Sequence, residues 1–273
     1  MLKSDLVQTD KHSIIILLRR KNLRFLRRTN LIKTRWLQKQ KKNNMKKMTL
    51  IFSILALCLF TNCENDDNVI TYTENLIAYY PFNGNAFDEI NQNDGIVKGA
   101  KLISSSDAYL FDGIDNVIEI NHDESFNFER NFTISALFNT NEIKSQHIIR
   151  KGKQVNGEFS SPFGLSLSQE NDIIFSISTE KGNTFSQLRK KGYETNKWYL
   201  ITGVFKENVM YLYVNGKLEA FNKINGEITL NYDSLLIGSR LSLPSDTFNG
   251  VIDDVRIYNS ALTESEIKNL NKN

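Results

Sequence analysis

From residue 76 onward, the chain alternates short apolar runs with turn residues. The runs are rich in β-branched and aromatic residues, and Gly, Asn and Asp separate them, which is the pattern of short strands joined by tight turns. The pattern predicts strands at 77–82, 95–102, 108–111, 117–120, 132–139, 147–151, 163–168, 173–178, 198–206, 209–214, 217–222, 234–239 and 250–258. So many short strands with almost no helix favour an all-β fold of two packed antiparallel sheets.

Two local signals are stronger than the rest. Asn215-Gly216 stands between two strand patterns, and both residue types accept positive φ, so the pair predicts a hairpin with a type I′ turn. Thr263 precedes the only helix-like segment, and Glu266 follows three residues later, the spacing of a capping box. The sequence therefore predicts one short C-terminal helix over 263–270.

The net charge of +3 hides two opposite regions. Residues 1–62 hold 15 Lys/Arg and only Asp5 and Asp10, whereas the remainder holds 19 Lys/Arg and 29 Asp/Glu. The basic excess thus belongs to the leader, and residues 63–273 carry a net charge of −10. Nothing in this balance indicates nucleic-acid binding.

The apolar segment 49–60 has the length of a signal-peptide core and is too short for a membrane span, which needs about 20 residues. Lys46 and Lys47 precede it, and Cys63 with the acidic run 64–67 follows it. This arrangement resembles a bacterial lipoprotein signal with Cys63 as the acylated residue, although Asn62 replaces the usual small residue. The acidic run resembles the export signal of Bacteroidetes-type surface lipoproteins. The alternatives to the lipoprotein signal are an ordinary signal peptide and an uncleaved anchor, and the alternative for the acidic run is a solvated tether.

These signals predict four regions. Residues 1–44 are a leader or a mis-started upstream segment, 45–62 the lipoprotein signal peptide, 63–75 an acidic linker and 76–273 a single domain. Cys58 lies in the signal core and Cys63 is the expected lipid site, so no disulfide is expected in the domain. The resulting expectation is an outer-membrane lipoprotein, exposed at the cell surface and held by its lipid anchor.

Eight segments, in order, carry a family resemblance. They are 80–88 (YPFNGNAFD) with 91–95 (NQNDG), 111–120 (FDGIDNVIEI), 132–136 (FTISA), 148–152 (IIRKG), 198–205 (WYLITGVF), 212–218 (LYVNGKL), 237–238 (IG) and 248–262 (FNGVIDDVRIYNSAL). Together they resemble the laminin-G-like, concanavalin A-like jelly-roll family. The resemblance implies a two-sheet antiparallel jelly-roll sandwich, mostly used for binding glycans, glycoproteins or matrix, and often holding one structural calcium ion.

Two adjacent acids, Asp253 and Asp254, interrupt the last strand pattern, and such acids need an arginine, backbone amides or a cation as partner. The family resemblance implies that the first and last strands lie side by side, so the loop 83–95 is expected near these acids. Calcium binds six to eight oxygen atoms from carboxylates, amides and carbonyls. The predicted Ca²⁺ ligands are therefore the oxygen-bearing side chains of Asp88, Asp94, Asp253 and Asn83. The alternative is that Arg256 pairs with Asp254 and that the loop residues only form turns.

The candidate ligand-binding residues lie in long polar segments. Segments 152–162, 181–195 and 240–247 are read as loops, and function concentrates on loops. Their candidate contacts are Phe159, Phe185, Arg189, Tyr193 and Arg240. Trp198, the domain's only tryptophan, opens an apolar strand and is predicted to lie in the core.

No catalytic constellation is found. His122 and His147 stand beside no plausible nucleophile, and the nearest approach to an acid pair, Asp115 and Glu119, falls in a framework strand. The sequence therefore favours a non-catalytic, surface-anchored module that binds a glycan or glycoprotein. The alternatives are an envelope adhesion or structural protein with a protein partner and, with least support, a glycan-cleaving enzyme.

Overall fold

A computed structural model describes residues 75–103, 105, 107–152, 154–155, 158–159, 161–179, 184–240 and 246–271, with the backbone alone at 154, 155, 158 and 159. Every described strand belongs to a compact unit that spans Asp67–Asn273. Cys63 and the predicted signal peptide lie outside the described residues. None of the described helices is long and apolar enough to cross a membrane.

Seventeen strands and one α-helix account for the regular structure of the described residues. The strands are β1 (Leu76–Tyr80), β2 (Gly95–Lys98), β3 (Lys101–Ile103), β4 (Ala108–Asp112), β5 (Val117–Ile120), β6 (Asn131–Thr140), β7 (Gln146–Lys151), β8 (Gln154–Val155), β9 (Glu158–Phe159), β10 (Phe163–Leu167), β11 (Asp172–Thr179), β12 (Thr184–Lys191), β13 (Trp198–Lys206), β14 (Val209–Val214), β15 (Lys217–Lys223), β16 (Leu235–Ile237) and β17 (Asn249–Tyr258). The helix α1 spans Glu264–Leu270, and a 3₁₀ turn covers Glu124–Phe126.

The strands form the predicted two-sheet antiparallel jelly roll. The eight-stranded sheet has the order β15-β14-β13-β6-β17-β4-β3, with β1 paired to β17, and the seven-stranded sheet has the order β12-β11-β10-β7-β16-β5-β2. β8 and β9 form a small separate hairpin. β6 and β17 are central in the first sheet and β7 is central in the second, so residues on these strands have neighbours on both sides.

The main core fills the space between the sheets. Alternate residues of β6, Phe132, Ile134, Ala136 and Phe138, point into it, and they meet inward residues of the other sheet such as Phe163. Burying one such apolar side chain contributes about 1.5–3 kcal/mol. A core of this size accounts for a stable domain in which no disulfide is expected.

A second apolar cluster lies on the outer face of the eight-stranded sheet, under α1. Leu200 and Val204 of β13 pack there with Ile267 and Leu270 of the helix. Thr263 caps α1, and Thr263 and Glu266 form the predicted capping box. The hairpin turn at Asn215-Gly216 is also confirmed, with φ of +50° and +74°.

Two sequence interpretations of local structure are wrong. Segment 181–195, read as a loop, contains the eight-residue strand β12, which pairs along its whole length with β11. Its polar residues conceal a strand because β12 is an edge strand, exposed on one side. Trp198, predicted in the core, is 42% exposed. As the first residue of β13 it shares the outer face with Leu200, and it belongs to neither apolar cluster.

Candidate ligand-binding site

The first and last strands lie side by side, as predicted, and their pairing is called the seam here. Tyr79 of β1 lies opposite Arg256 of β17, and Tyr80 lies opposite Val255. Between Asp253 and Arg256, β17 carries one residue more than β6, and Asp254 adopts a φ of +53° in this bulge. The bulge brings Asp253, Asp254 and Arg256 to the wall of one pocket.

Charges at the seam are paired. The Arg256 guanidinium forms an ion pair with Asp254, donates to the Tyr79 hydroxyl oxygen at 3.3 Å, and lies 4.7 Å from the centre of the Tyr79 ring. The Asp254 amide donates to Asp253 Oδ1 at 2.7 Å. Burial nevertheless raises the pKa of Asp253 to about 6, and the neighbouring Asp254 carboxylate adds to the increase. A perturbed carboxylate in a pocket marks a candidate functional site.

The seam pocket has a volume of about 260 Å³ and lies between the seam, β6, β13 and the end of α1. It is lined by Tyr79, Pro81, Asn83, Leu137, Leu200, Asp253, Asp254, Arg256, Leu270 and Asn271. Trp198 precedes the lining residue Leu200 by two positions on the same strand face, a spacing of about 7 Å. The pocket thus offers carboxylates, amides and a guanidinium close to an exposed indole.

A larger cavity of about 590 Å³ lies elsewhere on the domain. Its lining includes Glu129, Glu207 and Glu227 with Arg130, and no aromatic residue is among its described lining residues. A sugar ring is recognised by an aromatic surface together with hydrogen-bonding groups, so the seam pocket has the better chemistry for that ligand.

The four predicted calcium ligands fall into two pairs. Asn83 and Asp253 line the seam pocket. Asp88 instead accepts hydrogen bonds from the Tyr79 and Ile90 amides at its Oδ1, and its own amide donates to Asp94 Oδ1 at 3.0 Å. Among the described residues, no group of three or more acidic, His or Cys side chains is placed to hold a metal ion.

One observation fits a cation at the Asp88–Asp94 pair. Asp88 Oδ2 is buried and has no hydrogen-bond partner. An orphaned carboxylate oxygen is a suitable ligand for calcium, which also takes backbone carbonyls and water. The two aspartates of the loop therefore fit calcium better than the full predicted set of four. Calcium binding itself stays a prediction.

The predicted loop contacts differ in their surroundings. Phe185 is 40% exposed on β12, and Arg189 on the same strand pairs with Asp172 at 2.9 Å, so both are strand residues. Tyr193, expected to be exposed, is buried in the core, and burial raises its pKa to about 12. The chain leaves the edge strand there and turns inward, which the polar sequence around it does not reveal. The side chain of Phe159 lies outside the described residues.

Arg240 takes part in a buried charged group that sequence reasoning missed. Its guanidinium lies 3.1 Å from Asp246, and His147 of β7 lies 3.9 Å from the same carboxylate. Arg150, one residue before the end of the predicted strand 147–151, faces this group. The available signal was Arg150-Lys151 at the end of an apolar strand pattern, but these residues were assigned to the family framework. Arg150, Arg240, His147 and Asp246 are called the arginine cluster below.

The comparisons with known proteins agree with this architecture. A family profile described as Concanavalin A-like lectin/glucanases superfamily (Laminin_G_3) matches residues 112–268. No curated protein matches the chain in sequence.

Three solved structures illustrate the likeness. The binding domain of Paraclostridial Mosquitocidal Protein 1 has a TM-score of 0.60 at 19% identity, covering 72% of this chain and 52% of that one. The botulinum neurotoxin serotype D ligand binding domain in complex with N-acetylneuraminic acid has 0.59 at 19%, covering 73% and 51%. Domain 4 of the Geobacillus stearothermophilus arabinanase AbnA in complex with arabinotriose has 0.57 at 16%, covering 72% and 98%. The chain thus spans about half the length of the two toxin structures, and the likeness concerns the fold.

Proposed function

We propose a sugar-binding role for this chain, which belongs to the concanavalin A-like lectin/glucanase superfamily. The role is that of a non-catalytic module for a glycan or glycoprotein. Sugar ligands are named for two of the similar structures, N-acetylneuraminic acid and arabinotriose. Because a shared fold leaves the ligand open, the site itself has to carry the proposal.

The seam pocket with Trp198 is the observation that carries it. An indole that is 42% exposed beside a polar pocket provides a flat apolar surface for the C–H face of a sugar ring. Asp253 and Asn83 then supply hydrogen-bond groups for sugar hydroxyls. Arg256 is fixed by Asp254 and Tyr79, so it presents a preorganised donor rather than a mobile one.

The proposed location is the outer membrane surface, with the lipid anchor at Cys63. The sequence signals at 45–67 support it, and the acidic segment after Cys63 would act as a solvated tether. A tethered glycan-binding domain gains effective concentration at a surface, so a modest affinity for each glycan would suffice.

A glycan array followed by calorimetry tests the proposal on the compact unit 67–273. We expect retention of a defined glycan, and Trp198→Ala or Asp253→Asn should weaken its binding by about tenfold or more. Tyr232→Ala is the matched control, because Tyr232 is a more exposed aromatic and does not line the seam pocket. A failure to retain any glycan, or full binding by the Trp198→Ala variant, would contradict the proposal.

Calcium at Asp88 and Asp94 is a second, structural proposal. A bound ion would satisfy Asp88 Oδ2 and fix the loop that follows β1. A ligand that binds only the folded state raises the melting temperature. We therefore expect calcium to raise the melting temperature relative to EGTA, and Asp94→Asn to abolish the rise. Asp115→Asn, an acid in another turn, should leave the rise intact; an equal melting temperature in calcium and EGTA would count against the site.

A further inference from the structure

Arg150 occupies the middle of the seven-stranded sheet. It lies on β7, the central strand, opposite Gly164 of β10 and Leu236 of β16. Its neighbour Ile149 belongs to the core, so the Arg150 side chain is on the outer face of this sheet. This face lies on the other side of the sandwich from the seam pocket.

Two of the three guanidinium nitrogens of Arg150 are buried without a hydrogen-bond partner. The residue is 3% exposed, and its Nε and Nη2 atoms have no hydrogen-bond partner. No described acidic side chain forms an ion pair with it. A buried charge is retained only when something pairs with it, and an arginine stays protonated at any physiological pH. The described residues therefore leave Nε and Nη2 of Arg150 unsatisfied.

The surrounding charges add to the imbalance. The Asp246 carboxylate pairs with Arg240 at 3.1 Å and also attracts Arg150 electrostatically. Burial and the two neighbouring arginines hold the pKa of His147 well below its usual range, so His147 is neutral. Burial and Arg240 lower the pKa of Arg150 to about 10, still above neutral pH. Two guanidinium groups thus face one carboxylate.

Small residues flank Arg150 on the outer face of the sheet. Gly164 lies opposite it, and a Cβ there would lie 3.5 Å from the Ser176 hydroxyl. Ser166, opposite His147, is on the same face. Solvent reaches the cluster at Arg240, His147 and Asp246, whose side chains are 11–17% exposed. A planar oxyanion fits the guanidinium fork, and the serine hydroxyls suit the polar groups attached to it.

We propose that the arginine cluster binds the carboxylate of an acidic sugar, with Arg150 as the principal contact. The sugar part of this inference rests on the proposed function, whereas the anion part rests on Arg150 alone. A carboxylate would accept two parallel hydrogen bonds from Arg150 and would neutralise the excess positive charge.

The test compares the 67–273 unit with Arg150→Met and with Lys191→Met, which removes one exposed positive charge from β12 of the same sheet. D-glucuronate, N-acetylneuraminate, inorganic sulfate and neutral glucose are titrated at constant ionic strength. We expect both sugar acids to raise the parent's melting temperature, and Arg150→Met to weaken glucuronate binding by about tenfold or more. Lys191→Met should change it by less than about twofold, and glucose should have no effect.

A second readout guards against misfolding. Without any anion, Arg150→Met should melt at or above the parent temperature, because it replaces an unpaired buried charge with an apolar side chain of similar length. Equal glucuronate binding by parent and Arg150→Met, or a parent that responds to no anion, would overturn the proposal. A response to sulfate but to neither sugar acid would overturn the acidic sugar as ligand. The proposed function fails on a different result, which is full glycan binding by the Trp198→Ala variant.

Discussion

The two outer faces of the sandwich each hold a largely buried arginine, and only one of the two is satisfied by the protein. Arg256 at the seam has an acid, a phenol hydroxyl and an aromatic ring as partners. Arg150 in the arginine cluster has no hydrogen-bond partner for Nε and Nη2. Both residues are mostly removed from water, at 9% and 3% exposure.

The difference separates an arginine whose charge the protein pairs from one whose buried donors have no hydrogen-bond partner. Asp254 lies two residues before Arg256, and the bulge turns it toward the guanidinium, so the last strand supplies its own ion pair. Arg150 has Ile149 and Lys151 beside it and Gly164 and Leu236 across from it, none of which accepts a hydrogen bond through its side chain. Completing its environment requires a group from elsewhere.

The largest expected effect comes from removing the only carboxylate of the arginine cluster. Asp246→Asn leaves Arg240 beside Arg150 with no negative charge, and breaking a buried pair in this way costs about 3–5 kcal/mol. Urea unfolding at pH 7 measures the loss. Glu194→Gln, which opens an exposed pair with Lys197, is the control and should cost less than about 1 kcal/mol. A loss for Asp246→Asn no larger than the control's would show that this carboxylate does not neutralise the cluster.

The next largest effect on stability is expected from removing Arg256, the arginine that has partners within the protein. Arg256→Met leaves the Asp254 carboxylate without its partner and removes the contact with the Tyr79 ring, so we expect a loss of about 1–3 kcal/mol in the free energy of unfolding. Lys197→Met is the matched control, since its ammonium group also pairs with an acid but in solvent. Arg150→Met, in contrast, should leave the free energy of unfolding unchanged or raise it, so the two variants test the difference between the arginines directly. Equal losses at the two arginines would remove the distinction between them.

Strand alternation and turn chemistry predicted the fold because both are local. The Asn215-Gly216 turn and the capping box at Thr263 follow from residue types at fixed spacings, and the structure confirms both. The pairing of the first and last strands followed from the family resemblance and is also confirmed. The Arg256–Asp254 ion pair was one of the alternatives considered, because those residues are two apart in sequence.

The candidate sites were harder to predict because distant segments form them. The cluster under α1 includes Leu200 and Val204 of β13 but not Trp198. The sequence of β13 alone does not indicate which of its outward residues the helix covers. Tyr193 is buried by the turn after an edge strand that was read as a loop. The arginine cluster joins His147 and Arg150 of β7 to Arg240 and Asp246, about 90 or more positions later, so no local sequence motif predicts it.

The smallest effect concerns Asp253, the least satisfied acid of the seam. Its pKa is raised from 3.8 to about 6, so between about pH 4 and pH 6 the unfolded chain releases this proton while the folded domain keeps it. Folding is therefore penalised as the pH rises through this window, and the penalty is complete above about pH 6. Relative to Asp253→Asn, the parent should lose stability from pH 4 to pH 7, by less than about 1 kcal/mol because the pocket admits water. Urea unfolding of both proteins across this range measures the difference, in which the titration of other groups cancels. A parent that gains stability over the variant as the pH rises would mean that Arg256 satisfies Asp253 as well as Asp254.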